Sequence, residues 1–359
     1  MKSVTIRYFL ITLGILLLFC GTIQAQENVP TSEDTLAVFE SLFTEEQPLE
    51  MTLKTDLKQF RKERRKEKYQ PAEMTIGINE SFQVTYPVRI KARGIFRRDN
   101  CTLPPIWLNI RHSKIEADSL KDIVKMKLYV RCKSVKQYND YILREYINNK
   151  IYTLISPISY RVRLVRLTFI DTGKDNEETV DWAFLQEPDE LMEKRLKGRM
   201  VKSDRLSMAT VNREVMDEVA LFQYMVGNGD YSVTGRHNLR VIAVQDPDLQ
   251  GFLVIPYDFD YTGLVNTSYA IPGEQGENLG ITNVRVRYYL GPCRDTEVHQ
   301  AEVEKFATYR ERIIDYINNF EYLDEKEKED MIEYLESYFE EAERDDFVSR
   351  KIQSTCRSY

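Results

Sequence analysis

Two short stretches in the second half of the chain carry side chains of the right types and spacing for metal-assisted chemistry. Val226-Gly-Asn-Gly-Asp-Tyr-Ser-Val-Thr-Gly-Arg-His-Asn238 places Asp230 and Asn238 on a glycine-rich loop, and Pro256-Tyr-Asp-Phe-Asp260 supplies Asp258 and Asp260. Between them, Leu239 to Val244 and Phe252 to Ile255 read as strands around the turn Asp246-Pro-Asp-Leu-Gln-Gly251. Such a hairpin returns Asp258 and Asp260 toward the loop it left. A loop Asp, a loop Asn and a hairpin Asp are what phosphoryl transfer needs for one base and two metal ligands. The donors are all oxygens, which suit Mg²⁺ or Mn²⁺ rather than a soft metal.

The elements that must position these residues can be read along the chain. Leu49 to Leu53 reads as a strand, and Thr55 can cap a helix that runs into the basic stretch Arg61 to Lys68. That stretch is read as a solvated helix face. Phe82 to Arg93 alternates as a strand and runs into Ala92-Arg-Gly-Ile-Phe-Arg-Arg98, where a glycine flanked by cations can fold over phosphates or simply form a turn. Pro104 to Ile110 and Ile123 to Val130 are further strands; on the second, Lys125 and Lys127 share a face opposite Val124, Met126 and Leu128. Tyr138 to Ile155 has Leu143, Ile147, Ile151 and Leu154 at helical spacing and carries Arg144 and Glu145. Tyr160 to Asp171 and Val180 to Leu185 form a strand pair, and Glu190 to Lys197 a charged helix. Asn212 to Met225 is a helix leading into the Asp230 loop, with a glycine-rich segment after Asp260 and two helices, Glu302 to Phe320 and Glu325 to Arg344, at the end.

Residues 1–25 have the plan of an export signal: Lys2 and Arg7, an apolar core from Tyr8 to Phe19, and Ile23-Gln-Ala25 before the cut. The core is too short to span a bilayer, so no stable membrane insertion is expected after cleavage. Removing the two cations moves the net charge from −7 to −9, which argues against nucleic acid as a partner. Four cysteines then remain, Cys101, Cys132, Cys293 and Cys356. In an oxidising compartment they permit two disulfides in three connectivities.

Asn228-Gly-Asp230 with His237-Asn238 resembles the catalytic loop of atypical kinases, including the HipA type. Pro256-Tyr-Asp-Phe-Asp260 resembles the Pro-x-Asp-x-Asp of the CotH spore-coat kinase family, and Arg93-Gly94 with Arg98 resembles its Arg-Gly loop. The resemblance implies an α+β, two-lobed protein-kinase-like fold, with a β-rich N-lobe over residues 48–187 and a helical C-lobe over 188–359. A linker and short helix would occupy residues 26–47. It implies Asp230 as the catalytic carboxylate, Asn238 and Asp258 as ligands of Mg²⁺ or Mn²⁺, and Asp260 as the alternative ligand. Lys127, or Lys125 beside it, would hold ATP phosphates, with Glu145 as the acid that pairs with the lysine and Arg93, Gly94 and Arg98 cradling the phosphates. The implied activity is transfer of the γ-phosphoryl group of ATP to Ser or Thr of an exported protein, at the cell surface, in the periplasm or in the medium. The opposing reading is a secreted binding or structural protein of the same fold without catalysis. His112, His237 and His299 are the only histidines, and HExxH, GxSxG and Walker A motifs are absent. Zinc and histidine-centred hydrolysis are therefore poorly supplied. Glycoside hydrolysis by Asp230 and Asp258 would want a more aromatic cleft than two tryptophans provide.

Overall fold

The computed structural model describes residues 42–79, 82–110, 125–203, 206–246 and 249–358. The expected export signal, residues 26–41 of the expected linker, His112, and Ile123 and Val124 of the expected strand lie outside them. Seven strands, β1 (Leu49–Thr55), β2 (Gln70–Asn79), β3 (Phe82–Ala92), β4 (Ile106–Ile110), β5 (Lys125–Val130), β6 (Val162–Asp171) and β7 (Glu177–Gln186), close into a barrel in the order β1-β2-β3-β4-β5-β7-β6. Neighbours are antiparallel except at the closure, where β1 runs parallel to β6 from Leu49 opposite Val165 to Thr55 opposite Asp171. Closure leaves no unpaired edge. A separate antiparallel sheet has the order β10-β9-β8, from β8 (Gly198–Met200), β9 (Leu239–Val244) and β10 (Leu253–Pro256). The α-helices among the described residues are α1 (Leu57–Glu63), α2 (Phe96–Asn100), α3 (Lys136–Ile155), α4 (Asp189–Arg195), α5 (Arg213–Met225), α6 (Glu274–Asn278), α7 (Thr296–Ala307), α8 (Arg310–Asn318) and α9 (Glu325–Ala342).

Period-two alternation fills the barrel. Ile106, Leu108 and Ile110 of β4 and Met126, Leu128 and Val130 of β5 join Met51, Leu53, Met74, Ile76 and Ile90 in one buried apolar cluster. Leu57 and Phe60 of α1 belong to the same cluster, as do Leu42 and Phe43, so the end of the expected linker is part of the core. The cap of α1 is Asp56, whose carboxylate accepts from the Gln59 N–H; the Thr55 hydroxyl instead donates to the Pro71 carbonyl. The helix stops at Glu63, so only the first part of the basic run is helical.

The two-lobed kinase-like fold with a helical C-lobe is corrected by this topology. The β-rich part is a closed mixed barrel, and the part expected to be helical contains the three-stranded sheet. One apolar core also crosses the expected boundary at residues 187 and 188. Tyr129, Phe184 and the α3 residues Leu143, Ile147 and Ile151 are packed in one cluster with Met216, Phe222, Phe306, Leu335 and Tyr338. From α3, Arg144 reaches the Leu264 carbonyl, Glu327 and Asp330. The long carboxy-terminal helix expected over Glu302 to Phe320 is two helices, α7 and α8, parted at Thr308 and Tyr309.

Two disulfides select one of the three open connectivities, Cys101–Cys132 and Cys293–Cys356. In the chain-entropy account each is worth roughly 4 kcal/mol by restricting the unfolded chain. Two disulfides suit an oxidising compartment. Among the described residues no helix is long and apolar enough to cross a membrane.

Candidate functional site

The β9–β10 hairpin does what its sequence suggested. Pro256 pairs with Leu239, and the next step brings the Tyr257 N–H to the Asn238 carbonyl at 3.0 Å, so Asn238 and Asp258 emerge side by side. Both adopt left-handed backbone, φ +51° and +65°. Asn and Asp are among the few non-glycine residues that tolerate that region. The Asn238 amide donates to the Asp230 carbonyl (2.8 Å) and to Asp230 Oδ2 (3.0 Å). On the other side His237 Nε2 lies 3.0 Å from Asp230 Oδ1, and the Asp230 N–H donates to Asn228 Oδ1 at 2.9 Å. The hydrogen bond to Asp230 raises the His237 pKa against the opposing effect of partial burial, with the charges of Asp230 and Asp258 assisting. Asp230 is thus fixed from both ends while remaining partly open to solvent.

Three carboxylates converge one step deeper. Glu145 of α3, Asp258 and Asp260 each offer an oxygen, all within 4.8 Å of one another. Asp260 and Glu145 are buried, and Asp258 is half-buried. Burial, reinforced by the Asp258 charge, pushes the Asp260 carboxyl up to about 6. Burial, and then the Asp260 charge, pushes Glu145 well above the ordinary carboxylate range. Like charges this close resist ionising together, so the cluster calls for a cation. Arg97 of α2 supplies one, with Nη1 at 3.4 Å from Glu145 Oε2 and 3.7 Å from Asp260 Oδ2. Its Nη2 donates to the Val130 carbonyl at 2.7 Å. Burial opposes the Arg97 charge, yet Tyr269, Asp260 and Glu145 outweigh it and the net shift is upward. Tyr269 also donates its hydroxyl to Asp260 Oδ2 at 3.1 Å. Glu145 Oε1 is buried and has no hydrogen-bond partner among the described residues.

Lys127 lies on the outward face of β5, buried, and its Nζ likewise has no hydrogen-bond partner among the described residues. It sits over the rings of Tyr257 (4.1 Å) and Tyr160 (5.4 Å). Burial, then the charges of Arg240 and Arg93, hold its pKa well below that of an ordinary lysine. Arg93, also buried, stacks on Tyr129 at 4.4 Å and donates to its hydroxyl, which donates onward to Gln186 Oε1. Lys127, Lys125, Trp107 and residues 187–190 line a cavity of about 110 Å³. A larger cavity of about 430 Å³ lies behind α3, bounded by Tyr146, Tyr316, Phe320 and Arg312 among others, and holds none of the candidate residues. Chemistry rather than volume locates the candidate site.

Of the sequence candidates, Asp230, Asn238, Asp258, Asp260, Glu145, Lys127 and Arg93 come to this region, linked by the contacts and charges above. Two expectations change. Glu145 pairs with Arg97 and not with Lys127. Arg98 turns away to Glu67 at 2.7 Å, because a helical turn from Phe96 to Asn100 puts consecutive arginines on different faces. Gly94 has φ +81°, a conformation glycine favours, and a Cβ there would meet nothing within 4 Å, so its role is to turn the chain. Arg97 was not singled out in the sequence; the only signal for it is the short helical period inside the basic loop. No protein-family model matches the chain, and no curated protein matches it.

Proposed function

We propose that the chain is a divalent-metal-dependent phosphotransferase that uses ATP and acts on a hydroxyl group of an exported protein. The observation that carries this reading is the convergence of Glu145, Asp258 and Asp260 next to a separately anchored Asp230. The donor set fits the metal. It is made of hard oxygens, it is crowded with negative charge, and Glu145 Oε1 is a buried acceptor without a hydrogen-bond partner among the described residues. Asp258, Asp260 and Glu145 would hold Mg²⁺ or Mn²⁺, with the Asn238 oxygen as a further donor. When bound, the cation supplies charge neutralisation for the phosphate oxygens.

The chain's own groups divide the remaining work. Asp230 is the proton acceptor for the attacking hydroxyl, oriented by His237 on one oxygen and Asn238 on the other. Lys127 is a buried amine without a hydrogen-bond partner among the described residues, so a phosphate beside it would gain a charge-assisted hydrogen bond at little cost in rearrangement. Arg93 stands next to it, pinned by Tyr129. Such groups catalyse by position and electrostatics. The two disulfides support an acceptor met outside the cytoplasm.

A binding protein that keeps this constellation without transferring phosphate is the second reading, and Arg97 favours it, since it already neutralises the carboxylates. Calorimetry with ATP and Mg²⁺ or Mn²⁺, run beside transfer of radiolabelled phosphate to the protein itself or a generic acceptor, decides. Metal-dependent ATP binding with transfer is the expected result. ATP binding without transfer selects the second reading, and no binding with either metal defeats the first.

A further inference from the structure

Arg97 is the one cation in direct contact with the carboxylate cluster among the described residues, and its surroundings leave it little choice of place. It sits on α2, whose end is tied to β5 by the Cys101–Cys132 disulfide. The Cys101 N–H donates to the Arg97 carbonyl, the Leu103 N–H to the Cys132 carbonyl, and the Arg93 N–H to the Pro105 carbonyl. The loop from Arg93 to Pro105 is therefore clasped against the end of β5. The Arg97 guanidinium is anchored to the Val130 carbonyl by one nitrogen and reaches Glu145 and Asp260 with another. Its Nε, buried, has no hydrogen-bond partner among the described residues.

The contact distances separate two jobs. The bond to Val130, at 2.7 Å, is a well-formed hydrogen bond. The approaches to Glu145 and Asp260, at 3.4 and 3.7 Å, are loose for charge-assisted bonds, which run about 2.7–2.9 Å. The backbone carbonyl thus positions the side chain, while the carboxylates are met chiefly through charge. At these distances in a buried site a fixed positive charge stabilises the cluster without metal and repels a divalent cation entering it.

We propose that Arg97 is a built-in surrogate cation: it neutralises Glu145 and Asp260 in the metal-free protein and sets the divalent-metal affinity by opposing the incoming ion. The proposal rests on the metal-site reading of Glu145, Asp258 and Asp260. Arg97 is a positioning residue here; it acts on the carboxylates and not on the reacting atoms. A site built this way keeps its shape without metal and binds it only at higher concentration.

The test is a pair of measurements on the full mature chain with Mn²⁺ as probe. In the first, calorimetry and thermal unfolding compare wild type with Arg97→Gln. The variant should melt at lower temperature without metal, should be raised more by Mn²⁺ than wild type, and should bind Mn²⁺ at least about tenfold more tightly. Equal or weaker Mn²⁺ binding by a folded variant overturns the proposal, because an arginine with only a structural role would not oppose the ion. In the second, which needs no variant, a crystal structure of wild type with Mn²⁺ should show the Arg97 guanidinium withdrawn from Glu145 and Asp260 while it still donates to Val130. Mn²⁺ bound with both carboxylate contacts unchanged overturns the proposal even where Arg97→Gln fails to fold. Mn²⁺ bound by neither protein, with or without ATP, defeats the metal-site reading itself and is distinguishable from both outcomes.

Discussion

Along β5, Met126, Leu128 and Val130 point into the barrel while Lys127 and Tyr129 point out, and both sets are buried. The inward set is apolar and belongs to the apolar cluster that fills the barrel. The outward wall faces α3 and the β9–β10 hairpin, and the buried groups there are Arg93, Arg97, Lys127, Glu145, Gln186 and Asp260. Several of their polar atoms, Lys127 Nζ, Glu145 Oε1, Arg97 Nε and Gln186 Nε2, have no hydrogen-bond partner among the described residues. Leaving a buried polar atom unpaired costs about 1–3 kcal/mol. The same strands therefore serve stability on one face and carry that cost on the other. Such a cost is tolerated where a ligand later supplies the missing partners.

The largest expected effects lie on the outward side and separate two kinds of carboxylate. Asp230→Ala should lower phosphotransfer by roughly a thousandfold or more while leaving metal-dependent ATP binding near wild type, because its role is toward the acceptor hydroxyl. Asp258→Ala should remove the metal-dependent part of ATP binding as well as transfer. Calorimetry and radiolabel transfer on both variants read the difference. Loss of binding in Asp230→Ala would merge the two groups into one site and undo the division of labour. The inward side should respond in the opposite way. Leu108→Ala, at a fully buried barrel position, should cost about 2–5 kcal/mol in denaturant unfolding, with ATP binding per folded molecule unchanged.

The inward face was largely legible before the structure, and the reason is periodicity. Alternation in Phe82 to Arg93, Pro104 to Ile110 and Ile123 to Val130 marks strands with one apolar side, and helical spacing in Tyr138 to Ile155 marks α3. The hairpin that joins Asn238 to Asp258 was legible for the same reason. The barrel was not. The alternation of β2, with Ala72, Met74 and Ile76 buried between the more exposed Glu73, Thr75 and Gly77, is present in the sequence but was not singled out. Closure itself depends on the parallel pairing of β1 with β6, more than a hundred residues apart, which leaves no local mark. The error at the site has a similar source. Arg97 and Arg98 are neighbours of one residue type, and only the turn of α2 decides which enters the cluster. Glu145 was paired with Lys127 by analogy, whereas the clasped loop brings Arg97 to it first.

Lys127 offers an intermediate effect whose sign changes with the property measured. Its folded pKa lies well below the lysine value, through burial and then the charges of Arg240 and Arg93. The unfolded chain therefore binds more protons than the folded one at any pH between the folded pKa and about 10.5. Wild-type stability should rise with pH through that window. Lys127→Met removes the penalty, so the variant should be more stable than wild type at pH 7, by about 1–3 kcal/mol. That advantage should shrink as the pH approaches 10.5. The same substitution should weaken ATP binding, since the partner for phosphate is gone. Urea unfolding at pH 7 and pH 10 with parallel calorimetry measures both. A variant less stable than wild type at pH 7 would mean that Lys127 is satisfied within the folded chain.

The smallest effect belongs to Arg98, one residue from Arg97, and it tests whether burial or mere proximity makes a cation part of the site. Arg98 Nη1 meets Glu67 at 2.7 Å in a pair whose side chains are 24% and 59% exposed, and Glu67 also receives Lys91 at 2.7 Å. Exposed pairs are screened by solvent and salt, and here a second cation remains on the same carboxylate. Arg98→Ala should therefore leave thermal unfolding within the scatter of surface substitutions. ATP and Mn²⁺ affinities should stay within about twofold of wild type, in contrast to the tenfold change expected at Arg97. A tenfold loss of ATP affinity in Arg98→Ala would show that its side chain leaves Glu67 for the ligand. The phosphate-binding loop would then extend to Arg98, as its sequence had suggested, and the contrast between a buried cation that sets affinity and a partly exposed one that does not would fail.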